Sequence, residues 1–298
     1  GVTLIPCVRP GKGEAISFHP IKFEEVVECD LALGGDIEYS GNIDCVVHCA
    51  GVVHFRDVGN RNEQMMKSVV KLANTLKVPV YYVSTAFVYR PPGENSDFHN
   101  SYEKDKFNTE QLLKASNIPH AIFRPSVLTG NSRTGKIQNF SGYYSLVRAF
   151  WSAIRDSAAK SQALRFPRMT GKSDMVPVDQ AAENIGKMIQ GGKLETFYIT
   201  NPAPPQSDWV LDETLNFYGV RDKLTVIDIS FEEYGKLDLT EDELKLYRFA
   251  SHFSPYLSMK YDFPQSICED NLITREYLSI ALGFFRDAED LTYEHRKA

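Results

Sequence analysis

The sequence runs to 298 residues, 43% of them hydrophobic and 24% charged, which suits one large domain or a domain with a smaller lobe. A net charge of −6 and a pI near 5.7 exclude nucleic acid as the main partner, because phosphate binding needs a basic face. There is no run of ~18 apolar residues, no basic-then-apolar leader and no CxxC pair among the five cysteines, so a soluble cytoplasmic protein without a metal site is expected.

Strand-like apolar runs alternate with helical patterns through roughly the first two-thirds of the chain. Val2 to Val8 (VTLIPCV) is the first run, closed by the turn-rich Arg9-Pro10-Gly11-Lys12-Gly13. Phe23 to Cys29 is the second and Cys45 to Cys49 the third. Residues 62–76 carry Met65, Val69, Leu72, Ala73 and Leu76 at helical spacing. Val78 to Val83 then reads as a buried strand, Tyr102 to Lys114 as a helix, and Ala121 to Phe123 as a strand closed by Arg124-Pro125. Such alternation implies a parallel sheet covered on both faces, a Rossmann-like doubly wound α/β fold. Asn201-Pro202-Ala203-Pro204-Pro205 cannot continue a helix or a central strand, so residues 1–203 are expected to form the dinucleotide-binding domain. Residues 204–298 are expected to form a smaller, mainly helical substrate lobe, with helical patches at 207–218, 241–250 and 270–284, and 136–173 to belong to a substrate lid.

The strongest local signal is Tyr102-Glu103-Lys104-Asp105-Lys106. Residues four apart share a helix face, so the Tyr102 phenol and the Lys106 ammonium can point into one site. A nearby ammonium favours the phenolate, which would bring an ordinary phenol pKa of ~10 down toward working pH. Alone, YxxxK is a weak signal. Three strand ends strengthen it: Val46 to Gly51 (VVHCAG), Val83 to Tyr89 (VSTAFVY) and Phe123 to Gly130 (FRPSVLTG). All three should reach the carboxyl edge of a parallel sheet, where such folds bind ligands.

In these stretches, together with VRPGKG, ECDL, FRPSVLTGNSRTG and DMVPVDQAAENI, the sequence resembles the extended short-chain dehydrogenase/reductase family. Within it the resemblance runs to thioester reductases, the terminal reductase domains of peptide and polyketide synthetases and related fatty acyl reductases. It covers residues 2 to about 185. The resemblance implies NADPH-dependent reduction of an acyl thioester, bound to a carrier protein or coenzyme A, to an aldehyde or alcohol. It implies that Thr85 supplies a catalytic hydroxyl, that Tyr102 protonates the developing alkoxide and that Lys106 holds the ribose hydroxyls. Asn62 would order the active-site helix, a role compatible with capping that helix. Asp30 would contact adenine, Ala50 and Gly51 would border the cofactor, and Arg124, Pro125 and Val127 would lie near the nicotinamide or its diphosphate. Arg9, with Lys12 nearby, ends the strand where such folds choose between NAD and NADP, and a cation there suits a 2′-phosphate.

One part of the family pattern is absent. No glycine-rich phosphate loop precedes Val2, and Gly11 and Gly13 are followed by no good helix, so the first strand and its loop are expected to lie outside this sequence. Two other readings use the same residues: an NAD-dependent nucleotide-sugar epimerase or dehydratase, and a non-catalytic nucleotide-binding member of the fold. Oligomeric state is not legible, and a monomer satisfies every feature above.

Overall fold

The structure, a computed structural model, describes residues 2–12, 23, 25–53, 59–93, 97–160, 162 and 164–295. The chain divides into two compact units, one of residues 1–124 and 188–197, the other of residues 125–187 and 198–298. Residues 125–187, expected with the dinucleotide-binding domain, fall with the C-terminal residues in this division.

In the first unit, β1 (Cys7–Val8) pairs in parallel with β2 (Val27–Glu28). The expected strand from Val2 thus forms a ladder only at its end, and Val2 and Leu4 stay exposed. β3 (Val46–His48), β4 (Val80–Val83) and β5 (His120–Pro125) form parallel ladders in the order β3-β4-β5, and β9 (Thr196–Ile199) follows β5 in the same sheet. β4 is Val-Tyr-Tyr-Val, β-branched and aromatic throughout. Its first three residues are buried, as befits a strand covered on both faces.

Two helices make the crossovers. α1 (Arg61–Leu76) buries a stripe of Met65, Met66, Val69, Leu72 and Ala73, and Lys77 ends it in the left-handed region at φ 57°. α2 (Ser101–Ala115) starts at Asn100, whose side chain accepts from the Glu103 amide. The core of this unit joins Met66, Val69 and Ala73 of α1 to Leu113 of α2 and to Val80, Tyr82 and Ile122 of the sheet. Full burial of each large side chain there contributes roughly 1.5–3 kcal/mol.

The face that α2 buries is unusual. It consists of Glu103, Asp105, Lys106, Thr109, Glu110 and Leu113, five polar or charged side chains and one leucine. Burial of charge is costly unless each group is paired, so a helix with such a face is built for something other than stability.

The second unit holds two short parallel pairs, β6 (Val127–Thr129) with β8 (Met175–Pro177) and β7 (Leu164–Pro167) with β10 (Leu224–Ile227). Its helices include α3 (Tyr143–Ala159), α5 (Ser207–Phe217), α6 (Phe231–Tyr234), α7 (Glu241–Ala250), α8 (Ser254–Leu257) and α9 (Arg275–His295). α4 (Val178–Gln190) begins directly after β8. Phe150, Ile154, Leu164, Phe166, Leu215 and Leu246 are central to its larger core cluster. Three helices lie at 207–217, 241–250 and 275–295, close to the expected patches, the last starting later and running on to His295.

Candidate active site

β4 ends at Val83, and the next two residues turn into a 3-10 turn (Ala86–Val88) that Thr85 caps. Thr85 is extended, at φ −149° and ψ 148°, and its hydroxyl accepts from the Phe87 amide at 3.4 Å. The same side chain hydrogen-bonds the Tyr102 phenol from the first turn of α2. One turn on, buried Lys106 donates to the Val83 carbonyl at 3.1 Å and stands 4.9 Å above the Tyr82 ring.

The Asn62 side chain grips the backbone of Val52 in both directions, accepting its amide at 2.8 Å and donating to its carbonyl at 3.1 Å. The N-cap of α1 is Asn60, so Asn62 is a helical residue that fastens the loop after β3 rather than the capping residue. Asp105 of α2 accepts from the first-turn amides of Asn62 and Glu63 instead, a carboxylate at the positive end of α1. Gly51 fills the remaining space. A Cβ there would stand 3.0 Å from the Lys106 ammonium and 3.2 Å from the Asn62 carbonyl oxygen.

The electrostatics differ from expectation at one point. Burial pushes Tyr102 up to about 12, the Thr85 hydrogen bond works against that rise, and the Glu103 carboxylate adds to it. The expected lowering by Lys106 is not what governs the phenol, because desolvation is larger and the ammonium is turned to the Val83 carbonyl. Burial also brings Lys106 down to about 8, against the raising influence of Asp105, Cys49 and Glu110. Neighbouring His48, buried and stacked 5.5 Å from Tyr82, is held down to about 3 by burial and by Lys106, so it is neutral at physiological pH.

The structure therefore brings Thr85, Tyr102, Lys106, Asn62 and Gly51 together, with Ala50 exposed beside them. Arg124 has a partner of its own. Its guanidinium meets buried Glu110 through Nε at 3.0 Å and Nη2 at 2.5 Å, and Ser84 donates to the same carboxylate at 2.7 Å. Asp30 caps the short 3-10 turn Leu31–Leu33, accepting from the amides of Ala32 and Leu33. Arg9 and Lys12 lie in the exposed turn after β1, where the Lys12 amide donates to the Arg9 carbonyl. Pro125 ends β5 and Val127 opens β6.

Sequence reasoning missed Glu103, Asp105 and Glu110 of α2 and Arg90 after the turn. The three α2 residues are buried, but a search for apolar periodicity passes over charged residues.

The parallel sheet thus carries a hydroxyl, a phenol and an ammonium close together beyond the end of β4. Residues 89–185, about a third of the chain, match the family described as Male sterility protein. It is 26% identical over 203 residues to the hybrid PKS-NRPS synthetase pydA of Acremonium sp, covering 59% of this chain. It is 25% identical over 202 residues to a linear gramicidin synthase of Brevibacillus parabrevis, covering 60% of this chain. The matched part is 4% of each synthetase, so the chain corresponds to a small part of those proteins. Among solved structures, the terminal R domain of the myxalamid PKS-NRPS pathway matches at TM-score 0.66 and 20% identity, over 96% of this chain and 84% of that one. The thiolation-reductase di-domain of an archaeal non-ribosomal peptide synthetase matches at TM-score 0.65 and 18% identity, over 96% and 70%. At these identities the structural likeness speaks for the fold alone, a Rossmann-like α/β domain.

Proposed function

We propose that the chain reduces an acyl thioester, presented by a carrier protein or as a coenzyme A ester, to an aldehyde or alcohol with NADPH. The single observation that carries this reading is the Thr85–Tyr102 hydrogen bond with buried Lys106 one turn further along α2.

A cofactor fits the residues present. The exposed Ala50-Gly51 backbone leaves an open surface beside Lys106, and any side chain at Gly51 would crowd the ammonium. Lys106 would hold the ribose hydroxyls, and Ala50 and Gly51 would border the nucleotide. Asp30 would face the adenine, and Arg9 and Lys12 would meet a 2′-phosphate. Pro125 and Val127 remain candidates for the nicotinamide side, and Arg124 would act there only alongside its bond to Glu110. When bound, the nicotinamide supplies a hydride.

The chain's own residues handle the oxygen. As negative charge grows on the substrate oxygen, Thr85 donates a hydrogen bond and Tyr102 donates its proton, interactions that strengthen toward the transition state. A phenol held near 12 is fully protonated at neutral pH, the form a proton donor needs. Asn62 keeps the loop after β3 against α1, so the surface beside Lys106 is formed before anything binds. The work is expected to take place in the cytoplasm, and no helix among the described residues is long and apolar enough to cross a membrane.

The test is NADPH consumption by the full chain with an acyl-coenzyme A, an acyl-pantetheine, an acylated carrier protein and a nucleotide sugar. Turnover with the thioesters alone is expected. Turnover with the nucleotide sugar alone would replace this reading with the epimerase one, and tight NADPH binding without turnover would favour a non-catalytic member.

A further inference from the structure

Glu103 follows Tyr102 directly in α2 and is fully buried, yet nothing in the proposed chemistry uses it. Its carboxylate accepts from Arg90 Nη2 at 2.6 Å, from the His99 amide at 3.0 Å and from the His99 ring at 3.2 Å. Arg90 in turn donates through Nη1 to the carbonyls of Phe87 and Tyr89, both at 2.8 Å, and lies 4.7 Å from the Phe98 ring centroid. One guanidinium therefore ties the turn that follows Thr85 to the residue that follows Tyr102.

We infer that the Arg90–Glu103 pair is a positioning element that fixes the Tyr102 phenol against Thr85 and sets the charge it faces. The inference rests on the reading of Tyr102 as proton donor. Geometry carries the first half. Thr85 and Tyr102 come from separate elements, and the pair holds those elements together on either side of their hydrogen bond. Charge carries the second. A buried carboxylate next to a phenol opposes the phenolate, and a guanidinium on that carboxylate offsets it. The groups that face Glu103 are Arg90, His99 and Tyr102. Those that act on Tyr102 are Thr85 and Tyr82 from the sheet side and Glu103 from α2, while the Lys106 ammonium is turned to the Val83 carbonyl.

The opposed charges allow a test that needs no substrate. Tyrosine Cζ is labelled with 13C in the cofactor-free chain, the Tyr102 resonance is assigned by its loss in Tyr102→Phe, and its ionisation is followed with pH. Glu103→Gln removes the opposing charge and is expected to bring the ionisation to lower pH than in the wild-type chain. Arg90→Gln exposes the phenol to an uncompensated carboxylate and is expected to move it to higher pH. The double variant returns toward wild type and also serves if Arg90→Gln alone does not fold. A Glu103→Gln titration that superimposes on wild type, or a double variant that titrates together with Glu103→Gln, would overturn the charge half.

In NADPH-dependent thioester reduction, each single variant is expected to lose about tenfold in kcat with KM little changed, and the double variant no more than either. A loss confined to KM, or additive losses, would overturn the positioning half. If Tyr102→Phe retained turnover, the proton-donor reading would fail while the titration still decided the charge relation.

Discussion

Lys106 is buried to 3% exposure, and its pKa falls from 10.5 to about 8. The folded state thus disfavours the ammonium that the proposed ribose contact requires. The sign follows from proton counting. Between about 8 and 10.5 the unfolded chain binds the proton and the folded chain does not, so stability is expected to rise with pH across that window. Below it the whole penalty is present. Lys106→Met is therefore expected to be more stable than wild type by on the order of 1–3 kcal/mol at neutral pH. The gain should vanish once the wild-type lysine is neutral in both states, and activity should be lost throughout. Thermal unfolding of both chains at neutral and alkaline pH measures this, and a Lys106→Met chain less stable at neutral pH would contradict it. At this scale the sequence was informative about identity and silent about environment. YxxxK pointed to Tyr102 and Lys106, whereas the rise of the phenol comes from burial, which no spacing encodes.

The element that carries the site is α2, and its buried face explains what was legible in the fold. β4 was read from its apolar run because its residues satisfy sheet and core at once, and α1 from its regular apolar stripe. α2 was read from its motif, since its buried face is mostly charged. β1 and β2 were overextended, because apolar runs announce strand propensity while a ladder needs a partner. The charged face depends on paired groups, and Glu110 joins Ser84 after β4 to Arg124 of β5. Glu110→Ala would leave the Arg124 guanidinium uncompensated and is expected to cost ~3–5 kcal/mol in urea unfolding. Glu241→Ala, at a carboxylate 71% exposed in α7, should leave stability unchanged. Equal effects would mean that the Glu110 cluster does not hold the sheet to α2.

For the whole molecule, order along the chain mattered more than any one motif. Strand ends at Gly51, Thr85 and Gly130, with YxxxK between the second and third, carried the resemblance to reductases, and the match over residues 89–185 overlaps the second half of that stretch. The division into units was less legible. The proline run after Asn201 looked like a boundary, but the two units exchange chain near Arg124 and again around 188–197, where no composition shift marks the change. The proposed choice of NADPH rests on the exposed Arg9 turn of the first unit. Arg9→Asp is expected to weaken NADPH binding by roughly 1 kcal/mol or more while leaving NADH binding nearly unchanged. Equal losses would remove Arg9 from the 2′-phosphate. The central claim is that the Tyr102 phenol, held by Thr85, delivers the proton, and the most direct measurement is single-turnover thioester reduction by Tyr102→Phe with NADPH binding measured in parallel. The predicted result is a rate lower by ~100- to 10,000-fold with nearly unchanged NADPH affinity, whereas turnover close to wild type would contradict it.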